Sequence, residues 1–364
     1  MHTTDQAHRV IFIDLMRAIA VLQMVQGHTI SVFLSQDLKT TDLPIFAVWY
    51  FLRGMTAPIF MFTAGTVFTY LFRSVKKPLN KNYRVKKGIK RAFLLIFLGY
   101  MLRYPTWKVF DFSEVTQEQW QSFIAVDVLQ LIGFSLFILL LILYVAEKIK
   151  FHFTTSFIIS AAFIFFISPI TEVINWNSFL PAPLASYFYG KTGSLFPLFP
   201  WAGYVVAGGV LGSYLAEHPM VFKTAKFSFK VFIYGVILVL IALLAQFIIK
   251  TLNIEIVNPQ TEPNTILFRI GFVLLLTALV SYVSISVNKI PLLIILAGRN
   301  TLLIYVVHLI ILYGSAWTPG LALLWGSSFS GWMSFLAALF MITLMTFMVL
   351  ILHRFKMRNK ELVT

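Results

Sequence analysis

Ten apolar stretches, each near the length that crosses a lipid bilayer, punctuate the 364-residue chain and leave little else to fold. A hydrocarbon core of about 30 Å takes roughly 20 helical residues at about 1.5 Å each. The stretches run over residues 10–34, 45–72, 92–102, 123–145, 154–174, 196–215, 231–249, 266–285, 290–313 and 331–352. Arg103 and Pro105 truncate the third, so its helix is expected to begin inside the basic segment before it. Only 12% of residues are charged against 59% hydrophobic, whereas a soluble domain is about a quarter charged. An ordinary globule and a disordered chain are both excluded. The expectation is an all-α membrane protein, a polytopic bundle of about ten transmembrane helices forming one domain over 1–364.

The net charge of +15 would suggest nucleic acid in a soluble protein, but here it reports topology. Nine basic residues fall between positions 73 and 91, and further ones at Lys148, Lys150, Lys223, Lys226, Lys230, Lys289 and 354–360, all in segments on one side. The opposite side carries mainly Lys39, Lys108, Lys191 and Lys250, among the acids of 111–118, Glu255 and Glu262. The positive-inside rule then makes both termini cytoplasmic, with short tails at 1–9 and 354–364. The first stretch holds Asp14 and Arg17 and lacks a small-residue cleavage site, so it reads as a retained helix rather than a signal peptide. A multi-pass protein of a bacterial cytoplasmic (inner) membrane is expected, with lipid as a partner and homodimer formation left open. The longest external loops, 103–122 and 175–195, are aromatic and contain proline, as caps over a cavity would.

Ionisable groups at membrane depth cost a few kcal/mol each on insertion scales, so each is structurally paired or functional. Five of the seven histidines (His2, His8, His152, His218, His353) fall in tails or at stretch ends, leaving His28 and His308 inside. From Arg17 to His28 is eleven helical steps, about 1100°, which brings Asp14, Arg17, Val21, Met24 and His28 onto one stripe. Arg17 then lies in the cytoplasmic part and His28 about 16 Å further out. A neutral, sheltered imidazole suits a general base, so His28 is read as chemical. Asp14 and Arg17, at i and i+3, read first as a mutually neutralising pair. His308, with Arg299 and Asn300 at the glycine-led interruption of the ninth stretch, is read equally as cavity lining or as a hydrogen-bonded interhelical histidine. Asp127 and Gln130 read first as structural, with substrate orientation as the second reading.

The basic run before the third stretch is ordinarily a solvated loop on anionic headgroups. Lys87, Lys90 and Arg91 sit where the helix re-enters the membrane, where they would also clamp the phosphates of an anionic cofactor. With no cysteine, thiolate metal sites and acyl-cysteine intermediates are excluded. No Walker loop, dinucleotide glycine fingerprint or zinc-ligand cluster is recognisable, which argues against ATP-driven and metal-hydrolytic mechanisms. No metal and no nucleic-acid partner is expected.

The segment RVIFIDLMRAIAVLQMVQGH (9–28) resembles the first helix of the transmembrane acyltransferases, a superfamily joining the acyltransferase-3 proteins to the heparan-alpha-glucosaminide N-acetyltransferases. Its arginine, ten residues, then histidine spacing is of the acyltransferase-3 type. Three further segments, APIFMFTAG (57–65), LFPLFPWAG (195–203) and GRNTLLIYVVH (298–308), are closer to the glucosaminide branch. The resemblance implies transfer of an acetyl or other acyl group from cytoplasmic acyl-CoA to an amine or hydroxyl of a sugar or glycan on the far side. It implies His28, Arg17 and Asp14 as the catalytic set, and Lys87, Lys90, Arg91 and Arg53 on the CoA path. Asp127, Gln130, Trp201, Arg299, Asn300 and His308 would line the substrate cavity. There is one departure: the animal glucosaminide enzymes carry their catalytic histidine in the loop after the first helix, and residues 29–52 here hold none. The rival reading is a secondary transporter or flippase of an anionic or sugar-linked substrate, with Asp14, Arg17, Arg53, Asp127 and Arg269 along its route. It lacks an evident inverted repeat. A catalytically silent membrane scaffold is a third reading.

Overall fold

The computed structural model describes residues 10–253, 258–287 and 289–361; the N-terminal tail 1–9, Glu255 and the last residues of the C-terminal tail lie outside the described residues. The described chain is almost wholly helical. The principal helices are α1 (Ile11–Phe33), α2 (Pro44–Arg73), α3 (Tyr83–Leu102), α4 (Gln117–Ile124), α5 (Val128–Lys148), α6 (Phe153–Val173), α7 (Leu198–Glu217), α8 (Ala225–Thr251), α9 (Pro263–Ser286), α10 (Leu292–Arg299), α11 (Thr301–Tyr313) and α12 (Gly331–Glu361). A ribbon of two-residue strands, β1 (Gly314–Ser315) and β2 (Thr318–Pro319), pairs antiparallel after α11.

Helix starts follow from side chains that take up orphan backbone N–H groups. Asn82 accepts from the Arg84 amide at the head of α3, so this helix does begin inside the basic segment. Thr116 and Gln119 form a capping box on α4, and Asp127 and Gln130 form another on α5. Among the described residues seven helical segments are long and apolar enough to cross a membrane, and eight if α10 and α11, bent by 81° at Asn300, count as one broken span. The helices α1 and α3 have the length but hold polar residues that keep them below that apolarity.

The chain divides into two compact units. One contains Ile11–Phe60 and Ser286–Thr364, so that α1, the first half of α2, and α10 to α12 belong to it. Its core is built around α1: Ala18, Val21, Val25 and Phe33 pack with Leu296 and Ala297 of α10, Ile304 and Leu312 of α11, and Met341 and Met345 of α12. The segment after the ribbon straps the outer end of α1, with the Ser327 amide on the Val32 carbonyl and mutual bonds between residues 33–35 and Phe329.

The other unit contains Met61–Ile285. Within it α3 packs on α5 and α6 on α7. Two ion pairs tie its helices: Arg73 to Glu217 at 2.6 Å and Arg103 to Asp127 at 2.7 Å. Thr154 Oγ1 lies 3.1 Å from Glu217 Oε2 and 2.8 Å from Ser213 Oγ, joining α6 to the first of these pairs.

Candidate active site

Along α1 the polar stripe meets the broken span. Asp14 Oδ2 accepts from Arg299 Nε at 3.1 Å, and Arg17 Nη2 donates to Thr301 Oγ1 at 2.8 Å. Each thus reaches across to one side of the break between α10 and α11, and α10 lies close against α1 here. That closeness depends on Gly298, where a Cβ would stand 1.9 Å from the Asp14 carbonyl oxygen. Asn300 sits in the break and donates to the Leu296 carbonyl at 2.8 Å, closing the end of α10.

Further out, His28 is partly buried and carries Tyr313 Oη 3.0 Å from its Nδ1. The ring of His308 lies 5.5 Å from that of His28, and the Tyr313 ring presents its edge at 5.7 Å. His308 is wholly buried, and its Nδ1 stands 2.7 Å from the Ile304 carbonyl. A carbonyl only accepts, so that nitrogen carries the proton. His308 Nε2 is buried and has no hydrogen-bond partner among the described residues.

The other flank comes from α2. Gln23 donates to the Leu52 carbonyl at 2.6 Å, and the Arg53 side chain lies over Gly27, its Cγ 3.4 Å from where a Cβ would be. Arg53 thus stands beside the His28 end of α1. It lines an open cavity of about 830 Å³ together with Ser31, Lys39, Phe46, Trp49 and Tyr50. Trp49 Nε1 is buried and has no hydrogen-bond partner among the described residues. Lys39 donates to the Ser31 carbonyl at 2.9 Å and to Ser327 Oγ at 3.2 Å. Burial, and secondarily the Arg53 charge, hold its ammonium below the ordinary lysine value.

The remaining expected residues belong to the other unit. Lys87, Lys90 and Arg91 are exposed along the first half of α3, with Lys87 Nζ 4.8 Å from the Tyr83 ring. Asp127 is engaged by Arg103 and caps α5 with Gln130, as the structural reading of this pair expected. Trp201 is buried under the Arg269 guanidinium at 5.2 Å. Among the described residues no group of three His, Asp or Glu side chains is placed to hold a metal ion.

Sequence reasoning missed Tyr313, Lys39 and Trp49. Tyr313 lies five residues after His308, just past the motif that drew attention to it, and one tyrosine among 14 gives no signal of its own. The family described as heparan-alpha-glucosaminide N-acetyltransferase, catalytic, matches residues 9–246, more than half of the chain. The match covers Asp14, Arg17, His28 and Arg53 and stops before Arg299, His308 and Tyr313. No curated protein matches the chain.

Proposed function

The chain belongs to the heparan-alpha-glucosaminide N-acetyltransferase catalytic family, and on that premise we propose that it moves an acetyl group from cytoplasmic acetyl-CoA to an amine or hydroxyl of a sugar or glycan acceptor on the extracytoplasmic side. The observation that carries this reading is an open cavity, lined from Ser31 onward one turn of α1 beyond His28, whose walls suit a sugar. Phe46, Trp49 and Tyr50 offer aromatic faces, and Ser31 and Gln36 offer hydrogen bonds.

In this reading His28 takes the proton of the acceptor amine or hydroxyl as the thioester carbonyl is attacked. The donor supplies the activated acyl carbon. Exposed Lys87, Lys90 and Arg91 fit its phosphates, because a short cationic run on one helix face offers several donors to a polyanion. Asp14 and Arg17 hold α1 to the broken span and so fix where His28 stands. A transient acyl-histidine is the second form of the same chemistry.

The topology that goes with this function has ten crossings, α10 and α11 counted as one, with both termini cytoplasmic in a bacterial inner membrane. The asymmetry of basic loops supports it. We read 1–364 as one domain because α2 runs unbroken through both units. Against a transporter, Asp14 and Asp127 are each engaged by an arginine, which leaves little charge for a translocation route.

The test is sided transfer. Protein reconstituted into vesicles with its basic loops outward receives labelled acetyl-CoA from outside, with glucosamine or glucose trapped inside. Label appearing in the trapped sugar is the expected result. Label movement without acetylated sugar, or uptake of the sugar itself, would favour the transporter.

A further inference from the structure

Tyr313 has no part in the reading above, yet its hydroxyl oxygen stands 3.0 Å from His28 Nδ1. We propose that Tyr313 is a positioning residue that selects the working nitrogen of His28, accepting from Nδ1–H so that Nε2 is left bare for the acceptor's proton. The inference rests on His28 being the base.

A neutral imidazole carries one N–H, and which nitrogen has it is set by the hydrogen bond the other makes. A hydroxyl both accepts and donates. The Tyr313 oxygen has lone pairs to receive Nδ1–H, and in this arrangement its own O–H points away from His28. His308 does not compete: its Nδ1–H is committed to the Ile304 carbonyl, and its bare Nε2, the nitrogen that could accept, makes no hydrogen bond among the described residues. When the acceptor N–H or O–H breaks, its proton goes to Nε2 and its electron pair to the new acyl bond. The imidazolium then has two N–H groups, and Tyr313 satisfies the one that faces away from the reaction. Nε2–H returns its proton to the departing thiolate.

The backbone holds Tyr313 in place for this. Gly314, directly after it, has φ +82°, a left-handed conformation, and a Cβ there would stand 2.5 Å from the Thr318 carbonyl oxygen. The chain therefore turns sharply at the end of α11 into the ribbon, while the Leu321 amide bonds back to the Ile311 carbonyl at 2.9 Å.

The test uses the full chain in lipid bilayers, labelled with 15N-histidine, the His28 resonances being those lost in His28→Gln. In the wild type His28 is expected as the Nδ1–H tautomer; in Tyr313→Phe, which keeps the ring, that tautomer is expected to be lost. In parallel, acetyl transfer by Tyr313→Phe should fall about tenfold to a hundredfold in kcat, with KM for acetyl-CoA within about twofold. An unchanged tautomer in Tyr313→Phe, or an Nε2–H tautomer in the wild type, overturns the proposal. If His28→Ala is inactive while Tyr313→Phe transfers at the wild-type rate, the role of Tyr313 alone falls. If His28→Ala transfers normally, the assignment of the base falls with it.

Discussion

Gly298→Ala is the sharpest structural test of the way the broken span is fastened to α1. An added Cβ would lie 1.9 Å from the Asp14 oxygen and 2.8 Å from its carbonyl carbon, where ordinary contact between heavy atoms is about 3.5 Å. The helix α10 must retreat by an ångström or more. That retreat stretches the Arg299 to Asp14 bond from 3.1 Å past the range in which a hydrogen bond survives. Overpacking costs about 1–3 kcal/mol. The partly exposed ion pair adds about 0.5–1 kcal/mol after allowance for solvent screening, giving about 1.5–4 kcal/mol together. Gly54→Ala on α2 is the control, since a Cβ there meets nothing within 4 Å, and alanine improves a helix by up to about 1 kcal/mol. Thermal unfolding in detergent, followed by tryptophan fluorescence, should show Gly298→Ala melting several degrees lower and Gly54→Ala unchanged or slightly higher. Equal melting temperatures for the two would refute the close approach.

Charge reversal at Lys87, Lys90 and Arg91 together should raise KM for acetyl-CoA about tenfold and leave thermal stability unchanged; an unmoved KM reduces that run to a topology signal. Trp49→Ala should raise KM for the sugar acceptor about threefold to tenfold with little effect on acetyl-CoA, read from initial rates at varied acceptor. Asp127→Ala removes both a helix cap and the partner of Arg103, so it should lower stability by about 1–2 kcal/mol in denaturant titration while KM for both substrates stays put.

The helices were legible because their signal is local. Apolar runs of the right length became helices, and even the truncated third run begins at Tyr83 inside the basic segment. Asp127 and Gln130 read as a structural pair inside one stretch over 123–145, but that they cap a fresh helix start there was not read. The interruption at residues 298–300 did mark a break, since asparagine and glycine there oppose a continuous helix. What escaped was pairing across the chain: Arg299 lies 285 residues from Asp14, and Tyr313 the same distance from His28. Nor did any periodicity show the bond from Gln23 to the Leu52 carbonyl that brings Arg53 beside Gly27. Trp49 and Lys39 were likewise ordinary loop and helix-start residues until the cavity gave them a common wall.

The most direct measurement is single-turnover acetyl transfer by His28→Ala, reconstituted and shown by its melting curve to be folded. The account predicts that this variant still binds acetyl-CoA but passes its acetyl group to a sugar at least about a hundredfold more slowly than the unaltered protein. Transfer at the unaltered rate would contradict it.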